Sequence, residues 1–241
     1  SLTANGAGIT DSTGSVVVTG TTTLTATGQD IVLDAAGNDF VGDVSIWDAN
    51  NVTLADSNGI SLDYLNVGGN LNVTAGGDIT DSAVAYVYVV GTASFTAGSG
   101  SNIVLDALDV QSAIDVTTSG DATISNWAPA AVAASSVGGN LAVESLTGDV
   151  DVNGKLTVGG AVNLNAGGAI HVNADVDPTM VTMMAAGDIV VNAAVQATDG
   201  IVVLAGTVGG AGGVSVTTNG SLTTTATPSG ITISTGTVSG D

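Results

Sequence analysis

Apolar residues fall two apart along most of this chain. Ile31/Leu33, Val44/Ile46, Val52/Leu54, Ile60/Leu62, Leu71/Val73, Ile114/Val116, Leu141/Val143, Val150/Val152, Leu156/Val158, Val162/Leu164, Ile189/Val191 and Ile231/Ile233 keep this spacing, usually around a Thr, Asn, Ser or Asp. Successive side chains on a strand point to opposite faces, so each run predicts a short strand with one apolar and one polar face. Gly, Asn, Asp and Ser fill the gaps, and these residues tolerate tight turns. No stretch carries the three-and-four spacing of an amphipathic helix.

The strands repeat. Gly28-Gln29-Asp30-Ile31, Gly76-Gly77-Asp78-Ile79, Gly148-Asp149-Val150 and Gly187-Asp188-Ile189 share one marker, with a relative at Gly167-Gly168-Ala169-Ile170. Its aliphatic end can be followed through Ile31, Ile60, Ile79, Ile103, Ile124, Val150, Ile170 and Ile189, at successive spacings of 29, 19, 24, 21, 26, 20 and 19 residues. A second marker runs in phase with it: Gly68-Gly69-Asn70-Leu71, Gly138-Gly139-Asn140-Leu141 and Gly159-Gly160-Ala161-Val162. Self-similarity at this period, in short strands, signals one coil of backbone stacked repeatedly on itself. Parallel strands joined without reversal connect right-handedly. The expected fold is all-β, a right-handed parallel β-helix (solenoid) of roughly ten coils. At about 4.8 Å per layer it would be on the order of 50 Å long.

Composition supports the narrow coil, with 35 Gly, 3% aromatics and few helix formers besides Ala. Residues 1–241 read as a single continuous segment, whose loosest stretches, 125–136 and 206–213, have the length of corner insertions. Neither end resembles a polar or helical cap. Open solenoid edges need covering, so the segment is expected to belong to a longer chain or to an assembly of stacked copies.

Charge changes the picture of partners. Against 22 acidic residues stand one Lys+Arg and one His, for a net charge of −21. Lys155 is the single base, so nucleic acid and anionic membrane surfaces are excluded as partners. Dispersed carboxylates are expected to keep a Thr-rich rod in solution. There is no Cys, hence no disulfide or thiolate chemistry, and no apolar run of about 18 residues to insert into a membrane.

Candidate chemistry is thin. His171 lies between Ile170 and Val172, which places it on an outward strand face. Lys155, in Asn153-Gly154-Lys155-Leu156, reads as a turn residue. No residue is assigned a catalytic, cofactor-binding or metal-ligating role. Two suitably separated carboxylates would suffice for an inverting carbohydrate hydrolase, which keeps an enzyme as the alternative. Asp149/Asp151, Asp175/Asp177 and, more loosely, Asp78/Asp81 share strand faces. Stacking would crowd their charges, which calcium, as a hard cation with oxygen ligands, would relieve. The glycine run at residues 209–213 has the spacing of a calcium-binding nonapeptide but lacks its Asp. Tyr86 and Tyr88 share one face and form the best local contact patch, while the other aromatics lie on separate coils and are too few for a carbohydrate-stacking platform.

The runs from Gly68 through Leu71-Asn72-Val73-Thr74-Ala75 to Ile79, and from Gly159 through Val162-Asn163-Leu164-Asn165-Ala166 to Ile170, resemble repeats of filamentous haemagglutinin-type exoproteins. That resemblance implies a secreted bacterial β-helix acting as an adhesin, surface filament or stalk, located outside the cell. It implies contact with host or neighbouring-cell glycans and no catalysis.

Overall fold

Parallel β-strands are the only regular elements among the described residues of this computed structural model, which are 2–3, 7–11, 14–207, 212–225 and 230–235. They form two units, residues 1–120 and 121–241. Both are parallel β-solenoids and together they hold about ten turns, so the expected fold class is met. Residues 209–211 of the glycine run lie outside the described set.

In residues 1–120, one ladder stacks Thr22–Thr25, Val44–Ala49, Ile60–Val67, Ile79–Val89 and Ile103–Val110. A second stacks Ile9–Thr10, Ile31–Leu33, Val52–Asp56, Leu71–Ala75, Ala93–Ala97 and Ala113–Thr118. Register places like on like, for example Ile60 beside Ile79 and Ile79 beside Ile103. All three are almost fully buried, as are Leu71 and Val73 on the second ladder. Phe40 and Phe95 also lie inside.

In residues 121–241 each turn is cut into three strands. Ala122–Asn126, Leu141–Ser145, Ala161–Ala166, Met180–Ala185, Gly200–Ala205 and Gly230–Thr235 make one ladder. Ala130–Val132, Val150–Val152, Ile170–Val172, Ile189–Val191 and Val214–Val216 make another, and Ser135–Val137, Leu156–Val158, Val176–Asp177, Ala194–Ala197 and Ser221–Thr224 the third.

The aliphatic series followed in the sequence is not one column. Ile60, Ile79 and Ile103 stack together, but Ile31 stacks with Ile9 and Val52. Val150, Ile170 and Ile189 stack together, whereas Ile124 faces Val143 on another ladder. The long spacings of 29 and 26 residues are where the count passes from one face of a turn to another. Ile231 and Ile233 keep register with Ile201 and Val203 but are 42% and 49% exposed, because their strand is outermost in its ladder among the described residues.

The markers have a mechanical meaning. Where the coil turns a corner, backbone N–H groups leave the sheet ladder and need another acceptor. The marker Asp provides it to the next turn: Asp30 Oδ1 to Asn51 N at 3.0 Å, Asp78 to Asn102 N at 2.7 Å, Asp149 to Ala169 N at 2.6 Å, Asp188 to Gly213 N at 2.7 Å. Asn does the same in the second marker, with Asn70 accepting Thr92 N and Asn140 accepting Ala161 N, and Asn51 likewise accepts Asn70 N. The Asn51 N–H, with the Asn50 side chain next, holds the Asp30 carboxyl below its ordinary value. Glycine is needed beside these joints because successive corners nearly touch; a Cβ on Gly98 would collide with the carbonyl oxygen of Gly76.

This predicts a substitution pattern. Asp78→Asn should keep the oxygen acceptor and leave the melting temperature nearly unchanged, while Asp78→Ala should cost about 1 kcal/mol for the lost hydrogen bond. Equal melting of the two variants would refute the joint.

Candidate functional site

One corner of residues 1–120 departs from strict alternation. In the strand Val44–Ala49, Trp47 and Asp48 both lie outward between buried Ile46 and Ala49. In Ile60–Val67, Asp63 and Tyr64 do the same between buried Leu62 and Leu65. Two consecutive outward residues let one strand bend over two faces. The next strand, Ile79–Val89, carries an irregularity there, so that Asp81 pairs with Leu62 and Tyr86 with Tyr64. Val84, in the extra length, is 87% exposed.

Stacking brings the aromatics of three turns into one row. Trp47 and Tyr64 have ring centroids 5.2 Å apart, Tyr64 and Tyr86 6.2 Å apart, and Tyr86 and Tyr88 6.3 Å apart with nearly parallel planes. These distances suit favourable ring pairs. Trp47 remains 58% exposed and Tyr86 44%. The expectation that aromatics on separate coils form no platform is therefore corrected: separate in sequence, they are adjacent across turns. Tyr86 and Tyr88 do share a face, and Trp47 and Tyr64 join them. Ile46-Trp47-Asp48-Ala49 and Leu62-Asp63-Tyr64-Leu65 both break the period of two, which signals a bend in each strand. The register pairs Ile46 with Leu65 rather than Leu62, so aligning the breaks does not disclose which rings meet.

Carboxylates flank the row. Asp63 accepts hydroxyl hydrogen bonds from Ser45 of the preceding turn at 3.0 Å and Ser82 of the following turn at 2.7 Å. Ser61 donates to Asp43 at 2.7 Å, and the Tyr86 hydroxyl donates to Asp109 at 2.8 Å. Burial pushes the Asp81 carboxyl above its ordinary value despite N–H bonds from Ala107 and Asp106. Residues 1–120 contain no Lys, Arg or His.

Partial burial, with the hydrogen bond and charge of Asp109 next in order, pushes the Tyr86 hydroxyl up to about 12. Its folded value exceeds the unfolded one, so its contribution to stability is fully present below about pH 10 and is lost as pH rises toward the folded value. An ultraviolet titration should show one tyrosine ionising near pH 12, and Asp109→Asn should bring that step down. An unchanged step in Asp109→Asn would remove Asp109 from the account.

Most of the other singled-out residues lie in residues 121–241. Asp151 faces the His171 ring with Nδ1 2.7 Å from Oδ1, and Lys155 Nζ is 2.9 Å from Asp177. Asp149 and Asp175 accept the backbone N–H groups of Ala169 and Ala194. Asp78 and Asp81, in the first unit, likewise accept backbone N–H groups. Each member of the three Asp pairs is thus engaged with a protein donor rather than turned toward its sequence neighbour. No group of three metal-ligating side chains occurs among the described residues. His171 is on an outward strand face, as expected, and Lys155 is exposed beside a turn.

Comparison with curated proteins and with solved structures gave no match. A family of repeats of unknown function, DUF5649, matches residues 1–46, 49–119 and 119–176, each match spanning two or more turns of the solenoid. Those matches cover well over half of the sequence, and the chain belongs to the DUF5649 repeat family.

Proposed function

We propose that this chain is a structural and adhesive β-solenoid segment of an extracellular bacterial surface filament of the filamentous haemagglutinin type, extended by stacked repeats and not catalytic. The observation that carries this reading is the use of its acids. The marker carboxylates join one turn to the next through corner N–H groups, and Asp151 and Asp177 pair with His171 and Lys155. Chemistry of this kind builds and solvates a repeating scaffold. Surface localisation tests it. Antibody raised against this chain should label the outside of intact source cells, and electron micrographs of the shed material should contain fibres or rods. Label confined to the cell interior would refute the proposal.

Calcium is not required on this reading. Chelator should leave the melting temperature unchanged, and sodium chloride should raise it slightly by screening the carboxylates. If calcium held the folded chain, saturation at a hundredfold excess over Kd would stabilise it by about 2.7 kcal/mol per site. A fall in chelator that sodium chloride of matched ionic strength fails to restore would reverse this view. Asp149, Asp151, Asp175 and Asp177 would then be the first ligands to test.

A further inference from the structure

We infer that the corner bearing Trp47, Tyr64 and Tyr86 binds an extended cationic peptide segment of a partner protein, with arginine at alternate positions. Three observations meet there. The first is an exposed aromatic row on a soluble face, where rings gain nothing from the core: Trp47 at 58%, Tyr64 at 36% and Tyr86 at 44% exposure. The second is charge. The carboxylates of Asp63 and Asp109 beside the row have neutral hydrogen-bond partners, serine and tyrosine hydroxyls and the Gln111 side-chain amide, and the whole of residues 1–120 lacks a basic side chain. A negative field around π faces favours a cation placed over a ring and next to a carboxylate.

The third is spacing. Ring centroids advance by 5.2 and 6.2 Å from turn to turn. An extended peptide presents side chains on one face about every 6.6 Å, twice the rise per residue. A strand-like segment running along the row therefore brings alternate side chains near successive rings. Arginine suits the site better than lysine, because its planar guanidinium stacks on a ring while its edge donates two hydrogen bonds to a carboxylate. A second copy of this chain is disfavoured as occupant, since its own charge is −21.

The test uses the whole chain carrying Trp127→Phe, which leaves Trp47 as the sole tryptophan reporter. The probe is an acetylated, amidated peptide of alternating arginine and serine, titrated while Trp47 fluorescence is read at low and high sodium chloride. Binding should change the fluorescence and weaken steeply with salt. Each of Tyr64→Ala and Tyr86→Ala should lower affinity about two- to fivefold, the value of one exposed cation–π contact. Asp63→Asn with Asp109→Asn should weaken binding more than Asp34→Asn with Asp199→Asn, a pair that removes the same charge elsewhere. Thermal melts confirm that each variant is folded, and the wild-type fluorescence response does not depend on any of them.

Equal losses from the two charge-matched pairs, together with no effect of the ring substitutions, would mean unspecific attraction and overturn the site. Fluorescence change with a neutral hexasaccharide, insensitive to salt and lost with the same rings, would make the site a glycan platform and overturn the cationic assignment. Neither outcome bears on surface localisation, which stands or falls separately.

Discussion

Val152→Asp should unfold the turns around it. Val152 is fully buried, keeps register with Val132 on one side and Val172 on the other, and has only apolar neighbours in that column. A carboxylate there has no partner, and an uncompensated buried charge costs about 3 to 5 kcal/mol even after relaxation. That is a large part of a typical domain's stability. In a solenoid each turn touches only its neighbours, so the damage should concentrate in adjoining turns. Hydrogen exchange should accelerate in Ala130–Val132, Val150–Val152 and Ile170–Val172. Asp151→Asn, one residue away, is the control. Asp151 lies outward beside His171, and its amide replacement keeps an oxygen within reach of the ring, so a change within about 0.5 kcal/mol is expected. If both variants melted alike, the inward and outward assignments along this strand would be wrong.

Asp56→Ala should also be damaging, to a smaller extent and for a different reason. Asp56 is 5% exposed, ends the strand Val52–Asp56 and turns its carboxylate into the corner. One oxygen accepts Phe40 N at 3.0 Å and the other accepts Asn58 N at 2.9 Å. Alanine would leave the buried Phe40 N–H without its partner, at about 1 to 3 kcal/mol, while the part-buried Asn58 N–H can turn to water at smaller cost. Asp56→Asn should fall between, since one of its two positions becomes a donor facing a donor. Chemical denaturation of the three proteins would rank them, and a loss below about 0.5 kcal/mol for alanine would show that water replaces the carboxylate.

Much of this was visible from spacing alone. Pairs such as Leu71/Val73 and Val150/Val152 disclosed strand, face and burial together, because a period of two has one structural solution when one face is apolar. The column assignment was not visible for Ile31 and Ile124, since a stacked fold repeats several similar faces per turn and local sequence does not number them. Nor was the aromatic row. Trp47, Tyr64 and Tyr86 meet only because irregular turns bring their corners into line, and the irregularity before Tyr86 hides the match from any fixed period. The purpose of the marker Asp was also hidden: its acceptor role depends on an N–H from the following turn, roughly twenty residues away, as with Asp149 and Ala169.

The side-chain oxygen at each corner makes one turn's exit the matching plug for the next turn's entrance. Asp121 offers it to Asn140, and Asn140 in the same way to Ala161. A stretch of gene encoding one whole turn could therefore be copied or lost without creating a foreign junction, because the flanking turns already present complementary ends. Such a chain can change its length in evolution by unequal recombination far more readily than it can change its cross-section, and the same property makes single turns natural cassettes for building longer or shorter versions by design.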